Sequence, residues 1–168
     1  MTMEPSKENQ GMKTAVMHQL DRLGISYRTK LHKKRVFTSE EAAEERGVKL
    51  SQIVKTMILS NKENKTVMVI LPGDQKLDKK KVERLSGFKK LEFMDKDSLQ
   101  RKTGLIVGAI APVGEIFEGI PKLVDPSVFK EEWLDISSGD PRAGLELARE
   151  DLKKVLGEVT MAQIVREE

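Results

Sequence analysis

The sequence predicts a single domain of mixed α/β (α+β) class, in which helices flank a curved mixed sheet. The chain has 168 residues, which is enough for one ordinary hydrophobic core. Hydrophobic residues make up 38% of it and charged residues 34%, a balance that is typical of a globular protein. Helical and strand patterns are interspersed without a regular βαβ rhythm, which predicts this fold class. Residues 1–11 are polar and are expected to form a flexible tail, so the domain is expected to span residues 12–168.

The first part of the domain is predicted to form two helices with a strand between them. Apolar residues recur at three- and four-residue spacing over residues 12–23, which predicts a helix. Residues 25–31 are typical of a short strand. A second helix is expected over residues 39–46, because Thr38 can cap its first turn and Glu41 can reach back to the cap.

The middle of the domain is predicted to contain a hairpin followed by two helices. Residues 53–59 and 66–71 are the clearest strands, and the polar loop between them has hairpin length. The second of these strands is apolar on both faces, so we expect it to be central in the sheet. The ranges 78–86 and 95–104 are predicted helices because each begins with an aspartate that can cap the backbone. A short strand is expected at residues 90–94.

The remainder is predicted to contain four short strands and a last helix. The strands are expected at residues 105–107, 122–125, 132–136 and 144–147, and the helix at residues 150–156. Two lysines near the end of this helix favour it, because cations stabilise a helix C-terminus.

Composition excludes several classes of chemistry and of location. The chain has no cysteine, which rules out disulfides, a thiolate nucleophile and cysteine-ligated zinc. It has two histidines and no metal-ligand spacing, so neither a metal nor a cofactor is expected. No apolar run resembles a secretory signal or a membrane span, and we expect a cytoplasmic location without a membrane partner. The net charge of +3 alone does not indicate a nucleic-acid partner.

Lys55 conflicts with the pattern of its strand. Side chains alternate across a strand, so Lys55 shares its face with Ile53, Met57 and Leu59. Burying an unpaired ammonium is costly, so this lysine either reaches solvent past its neighbours or lines a cavity. In a cavity it could bind a phosphate or polarise a carbonyl.

A loop of small residues follows the predicted strand 105–107. Its low bulk would let a ligand approach the backbone, although an ordinary tight turn also explains it. Its residues are Gly108, Ala109, Ile110, Ala111, Pro112, Val113 and Gly114. A second polar turn contains Ser137, Ser138 and Gly139, which could hold a water or a substrate group or form a structural turn.

Basic residues are concentrated in short runs that a phosphate backbone would attract. The first run, around His32, contains Arg28, Lys30, Lys33, Lys34 and Arg35. Two further runs contain Lys76, Lys79, Lys80 and Lys81, and Lys89 and Lys90. A solvated surface is the alternative explanation for each run, and nearby glutamates balance part of the first.

Several of these segments, in this order, resemble the YbaK/prolyl-tRNA-synthetase-associated domain family. No single segment is specific, but the ordered set covers most of the chain after the tail. The segments are FTSEEAA at 37–43, VKLSQIVKTMIL at 48–59, LPGD at 71–74, GAIAPVG at 108–114, SSG at 137–139 and GLEL at 144–147.

The resemblance implies a barrel-like sheet and hydrolysis of mischarged tRNA at its acceptor end, either free-standing or beside prolyl-tRNA synthetase. It implies that Lys55 is the functional lysine, that Gly108 and Pro112 belong to a substrate loop, and that Ser137 is a pocket serine. Thr56 resembles the Cys-tRNA(Pro) deacylase branch, whereas an asparagine there would resemble the alanine-specific branch. The alternatives are a deacylase for another aminoacyl-tRNA such as Ala-tRNA(Pro), a hydrolase of another small ester, and a non-catalytic tRNA- or synthetase-binding module.

Overall fold

Over the residues that the structure describes, the protein is a mixed α/β domain with five α-helices and two sheets. The computed structural model describes residues 12–106, 108–114 and 117–167, and the predicted tail at residues 1–11 lies outside them. The helices of the described residues are α1 (Ala15–Arg22), α2 (Ser39–Arg46), α3 (Lys79–Ser86), α4 (Lys96–Thr103) and α5 (Arg149–Leu156). Their strands are β1 (Arg28–Leu31), β2 (Val54–Ser60), β3 (Thr66–Pro72), β4 (Glu92–Phe93), β5 (Lys122–Val124), β6 (Trp133–Ser137), β7 (Ala143–Ala148) and β8 (Thr160–Met161).

The strands form two sheets where the sequence predicted one. The larger sheet has the order β4-β2-β3-β5-β8 and mixes antiparallel with parallel pairs. The smaller sheet has the order β1-β7-β6 and is antiparallel throughout. A parallel bridge between Ile53 and Asp135 connects the two sheets. Neither sheet closes into a barrel within the described residues, so the barrel-like closure is not confirmed and stays a prediction.

Helix α2 begins and ends as the sequence predicts. Thr38 Oγ1 accepts a hydrogen bond from the Glu41 N–H at 3.1 Å and donates one to Glu41 Oε1 at 3.1 Å. Gly47 adopts a left-handed conformation with φ of 67°, which glycine tolerates without strain. The aspartates at positions 78 and 95 cap α3 and α4 in the same way.

Strand β3 is central and buried on both faces, as its sequence predicts. On one face Met68 and Ile70 pack into the main core beneath α1 and α5. On the other, Val67 and Val69 pack into a second cluster that contains Val82 of α3. The large sheet therefore has two covered faces.

The small sheet has one apolar and one polar face. Leu145 and Ile136 point into the main core. On the opposite face Lys30, Gly144 and Ser137 lie side by side, because Gly144 pairs with both neighbours in register. This polar face lies towards α2.

Three features of the C-terminal half differ from the sequence prediction. Leu105 and Ile106 form no strand, and Val107 lies outside the described residues. The 3-10 helix Pro126–Lys130 and the two-residue strand β8 were not predicted, since neither is long enough to show a periodic pattern. Asp125 holds this region together, because its carboxylate accepts the Ile164 N–H at 2.9 Å.

Candidate functional site

A cavity of about 390 Å³ opens along the free part of strand β2. Among the described residues, strand β4 pairs only with Leu59 and Ser60, so residues 54–57 of β2 have no paired strand on that side. The volume falls within the range of small-molecule sites, which is roughly 300 to 1,000 Å³.

Apolar side chains make most of the cavity wall, with a few polar groups among them. The apolar members are Phe37, Ala42, Ile53, Val54, Met57, Ile58, Phe93, Met94, Leu99 and Ile110. The polar and glycine members are Thr38, Ser39, Glu40, Arg46, Lys55, Thr56, Gly108 and Ser137. This composition is that of a binding pocket that orients a ligand through few polar contacts.

Lys55 lines the cavity and is half-buried. Its Nζ donates a hydrogen bond to the Gln75 carbonyl at 2.8 Å, and it forms no ion pair with a described residue. Burial lowers the pKa of Lys55 below its usual 10.5, while the charges of Glu40 and Asp74 act in the opposite direction. The remaining N–H donors of this ammonium are available to an anion or a carbonyl oxygen.

Thr56 brings a buried hydroxyl to the same wall. The residue is 8% exposed, and its Oγ1 has no hydrogen-bond partner among the described residues. Unpartnered buried hydroxyls are uncommon because leaving one unpaired costs free energy. Lys55 and Thr56 thus line one cavity although they point to opposite faces of β2, since the cavity runs along its open edge.

Gly108 is required by packing as well as by its backbone conformation. Its φ is +86°, and a Cβ at this position would lie 2.1 Å from the Phe37 carbonyl oxygen. The loop therefore rests on the backbone that leads into α2. This contact fixes two parts of the cavity wall relative to each other.

The rest of the predicted substrate loop lies apart from this cavity. Ala109 and Pro112 are buried without lining it. Ala111 and Gly114 instead line a second cavity of about 490 Å³ beside α1. The loop thus forms a partition between two cavities, and Gly108 and Ile110 face the first of them.

Of the polar turn at residues 137–139, only one residue lies in the wall of the first cavity. Ser137 lines the cavity, and its Oγ accepts the Gly139 N–H at 3.1 Å. Ser138 is fully buried and donates to the Ala143 carbonyl at 2.6 Å, so it holds the turn. Gly139 borders a separate cleft together with Arg35.

Beneath the cavity, two cations and two carboxylates share the polar face of the small sheet. Lys30 Nζ lies 2.7 Å from Glu146 Oε2 and 3.4 Å from Asp135 Oδ1. Arg46 reaches from α2 to within 3.9 Å of the same Asp135 oxygen, and its side chain is 5% exposed. Asp135 is fully buried, and neither carboxylate oxygen accepts a hydrogen bond from a described residue. Burial raises the pKa of Asp135, although both cations act in the opposite direction.

His32 and Gly144 position the Arg46 guanidinium. Arg46 Nε–H donates to His32 Nε2 at 3.1 Å, and His32 Nδ1 donates to the Pro141 carbonyl at 2.9 Å. These partners require neutral His32 with its proton on Nδ1. Gly144 leaves the space for the guanidinium, because a Cβ there would lie 2.1 Å from Arg46 Cζ.

The basic run around His32 is therefore divided between the interior and the surface. Lys30 and His32 belong to the buried charge network. Lys33 and Lys34 are exposed, and Lys34 lies 3.9 Å from Glu41. Arg28 is also exposed, and Arg35 lies over the Phe37 ring at 5.8 Å.

Arg46 and the aromatic rim of the cavity were not predicted from the sequence. In the sequence Arg46 is an ordinary charge in the last turn of a polar helix, and only the long-range contact with Asp135 reveals its position. Phe37 and Phe93 are large, exposed and beside the opening. Each is a single aromatic residue in a polar segment, and such a position does not show in the sequence whether the side chain is buried or exposed.

The described ranges contain neither a metal-binding cluster nor a membrane-spanning helix. No cluster of three or more acidic or histidine side chains there could hold a metal ion. None of the helices in those ranges combines the length and apolarity that a membrane crossing needs.

Several of the known proteins to which this chain is similar have names that refer to aminoacyl-tRNA editing or deacylation. Residues 33–155 match the aminoacyl-tRNA editing domain family. EbsC of Enterococcus faecalis, a candidate Cys-tRNA(Pro)/Cys-tRNA(Cys) deacylase, is 30% identical over 67% of this chain and 68% of its own. The prolyl-tRNA editing protein ProX of Acetoanaerobium sticklandii is 30% identical over 86% of this chain and 90% of its own. A solved candidate trans-editing enzyme for prolyl tRNA synthetase has the same fold, with a TM-score of 0.78 at 21% identity over 93% of this chain and 100% of its own.

The buried ion pair predicts a specific pattern of stability. Replacing Arg46 by leucine leaves Asp135 buried with one cation fewer, and we expect a loss of about 3 kcal/mol in the free energy of unfolding. Replacing Arg46 and Asp135 together by leucine should restore most of that loss, because Lys30 and Glu146 still balance each other. Urea unfolding of the three proteins measures this, and a double variant as unstable as the single one would contradict it.

His32 predicts a pH dependence of stability. Burial lowers the pKa of His32 below its usual 6.5, so the unfolded chain binds its proton at higher pH than the folded one. Neutral His32 therefore contributes fully to the free energy of unfolding above the pKa that it has in the unfolded chain. This contribution is lost as the pH falls from that value towards the pKa of His32 in the folded protein. We expect the urea midpoint to fall less steeply in His32→Gln than in the wild type between about pH 7.5 and about pH 5. If the urea midpoint fell equally steeply in both proteins, folding would not change the pKa of His32, and the prediction would be wrong.

Proposed function

The chain belongs to the aminoacyl-tRNA editing domain family, and from this premise we propose that it is a trans-editing deacylase whose preferred substrate is Cys-tRNA(Pro). The sequence-based predictions of the family, of an editing hydrolase and of mischarged tRNA as its partner are confirmed by this membership. The observation that carries the proposal is the half-buried Lys55 ammonium in a largely apolar cavity. The unpartnered Thr56 hydroxyl belongs to the same cavity and lies on the opposite face of β2.

Lys55 supplies the positive charge that ester cleavage needs. Its free N–H donors either anchor the phosphate of the terminal adenosine or polarise the ester carbonyl. In the second role they stabilise the negative charge that develops on the carbonyl oxygen. Because Lys55 is half-buried and most of the cavity wall is apolar, this charge acts in a medium of lower effective dielectric than bulk water.

The reaction requires no protein nucleophile, since an aminoacyl ester is already activated. For a cysteinyl substrate, the substrate thiol attacks the ester carbon, so a carbon–sulfur bond forms and the ester carbon–oxygen bond breaks. The proton from the thiol goes to the departing ribose oxygen, and water then opens the resulting thiolactone to free cysteine. For other aminoacyl groups, water attacks the ester directly. The cavity provides orientation in both cases.

The selection of the amino acid is assigned to the wall around Thr56. A small apolar space with one free hydroxyl suits a small side chain with a weak donor or acceptor, and a thiol has both properties. The names of EbsC and ProX support cysteine and the proline tRNA. Ala-tRNA(Pro) is the next candidate, because the alanine methyl group would also fit.

The other assignments form part of the same proposal. Gly108, Ile110 and Ser137 contact the aminoacyl group, and Ala109, Ala111, Pro112, Gly114, Ser138 and Gly139 support those walls. The domain limits of 12–168, a cytoplasmic site of action and an association with prolyl-tRNA synthetase belong to it as well. The association is supported by the trans-editing relative, which is described together with that synthetase.

Deacylation assays test the proposal directly. Wild-type protein should hydrolyse Cys-tRNA(Pro) faster than Ala-tRNA(Pro) and leave Pro-tRNA(Pro) intact. Lys55→Ala should lose at least about a hundredfold in kcat/KM, the order of loss seen when one oxyanion-stabilising donor is removed. Lys154→Ala is the matched control, because its side chain is 73% exposed and lies outside the cavity wall.

Two results would contradict the assignment. Full activity of Lys55→Ala would remove the lysine from the mechanism. Binding of charged tRNA without hydrolysis of any ester would instead identify a non-catalytic binding module.

A further inference from the structure

One side of the cavity mouth continues into a row of exposed cations. Five of these cations, which we call the α3 ridge, belong to α3 and its flanking loops: Lys76, Lys80, Arg84, Lys89 and Lys90. All five are exposed, and none forms an ion pair or side-chain hydrogen bond with a described residue. Lys80 and Arg84 are four residues apart on one helix face, so their Cβ atoms are about 5 to 6 Å apart.

The ridge begins at the cavity. Lys55 Nζ donates to the carbonyl of Gln75, the residue that precedes Lys76, so the first member of the ridge follows directly on a contact of the cavity lysine. Lys79, at the start of α3, lies over the ring of Phe93 at 5.9 Å, and Phe93 forms part of the cavity wall. Both contacts lie at the N-terminal end of α3, so the helix leads away from the opening.

The ridge and Lys55 also lie on the same face of the large sheet. Lys55 is opposite Leu71 in the β2–β3 pair, and Leu71 packs into the same cluster as Val82 of α3. The far end of the ridge is held beside the β2–β3 hairpin, because Asn61 donates to the Lys89 carbonyl at 2.9 Å. Lys62 and Lys65 extend the positive surface there.

The first basic run offers less unpaired charge. Lys30 is paired with two carboxylates and Lys34 lies near Glu41. This leaves three of its cations without an ion pair to a described residue, Arg28, Lys33 and Arg35, against five on the ridge. Of the acidic side chains near the ridge, Glu92 pairs with Lys79 and Glu83 accepts the Leu91 N–H, whereas Asp74 is exposed beside Lys76. A polyanion that leaves the cavity mouth therefore meets more unpaired positive charge along α3.

We propose that the α3 ridge binds the phosphodiester backbone of the acceptor stem while the aminoacylated end occupies the cavity. The inference rests on the proposed function, because it takes the occupant of the cavity as the end of a tRNA. Phosphate contacts of this kind position a nucleic acid without reading its sequence. The ridge therefore sets the affinity for any charged tRNA, and the cavity selects the amino acid.

The test compares two substrates that share the cysteinyl ester but differ in the stem. One is full-length Cys-tRNA(Pro), and the other is the cysteinyl ester of adenosine, which has no phosphodiester backbone. The variant Lys80→Glu/Arg84→Glu should lose about tenfold or more in kcat/KM on the tRNA and remain unchanged on the adenosine ester. The slope of log kcat/KM against log salt concentration should also become shallower by about two, one for each lost phosphate contact.

Two control variants make the result specific. Lys130→Glu/Lys154→Glu changes the net charge equally at exposed positions outside the ridge, and its activity on both substrates should match the wild type. Lys33→Glu/Lys34→Glu tests the competing basic run. A loss on tRNA confined to this variant, or an unchanged ridge variant, would overturn the proposal.

Failure of the deacylase function and failure of the ridge as a binding surface give different results. If the wild type hydrolyses neither substrate, the proposed deacylase function is wrong. If it hydrolyses both but the ridge variant is equally slow on both, the substitutions have disturbed the fold or the cavity. The milder Lys80→Ala/Arg84→Ala variant then decides the question, since it must retain wild-type activity on the ester and lose part of the activity on tRNA. If it shows no such difference, the ridge does not bind the stem.

Discussion

The contact between Arg46 and Asp135 joins the two halves of the candidate site. Arg46 ends helix α2, whose first turn forms one wall of the cavity, and Asp135 lies on the small sheet that contributes Ser137. Removing either charge would leave its partner buried with too little compensation, so the helix and the sheet are held at a fixed distance. Gly144 and His32 complete this arrangement by giving the guanidinium its space and its orientation. The cavity is thus preformed, as electrostatic catalysis requires.

Two covered faces of the large sheet explain where the cavity lies. Because β3 is buried on both sides, neither face of the sheet centre is available to a ligand. The short strand β4 leaves part of the β2 edge open, and Lys55 and Thr56 reach the cavity from opposite faces there. The adenosine end of a tRNA would enter along this edge, and the stem would then lie over the side that carries α3. In this account the cavity residues carry out ester cleavage, and the neighbouring α3 ridge supplies the affinity for the tRNA stem.

Local patterns in the sequence predicted the local structure well. The capping residues of α2, α3 and α4 and the central position of β3 follow from interactions within a few residues, which the sequence displays directly. The conflict between Lys55 and its apolar neighbours left two possibilities open, a lysine that reaches solvent or one that lines a cavity, and Lys55 lines the cavity. The separation into two sheets depends on pairing between distant segments, such as Ile53 with Asp135. Arg46 and the role of Gly108 against Phe37 are likewise contacts between distant segments, so single-position reasoning could not reveal them.

The central claim is that the β2-edge cavity receives the aminoacylated adenosine, and binding of a non-hydrolysable analogue tests it most directly. The analogue is cysteinyl adenosine with an amide in place of the ester, titrated into isotope-labelled protein while backbone amide shifts are followed by NMR. The account predicts saturable shifts at Lys55, Thr56 and Gly108, with none at His18 and Gln19, which line the second cavity beside α1. Shifts that cluster around α1, or no saturable shift at the β2 edge, would contradict it.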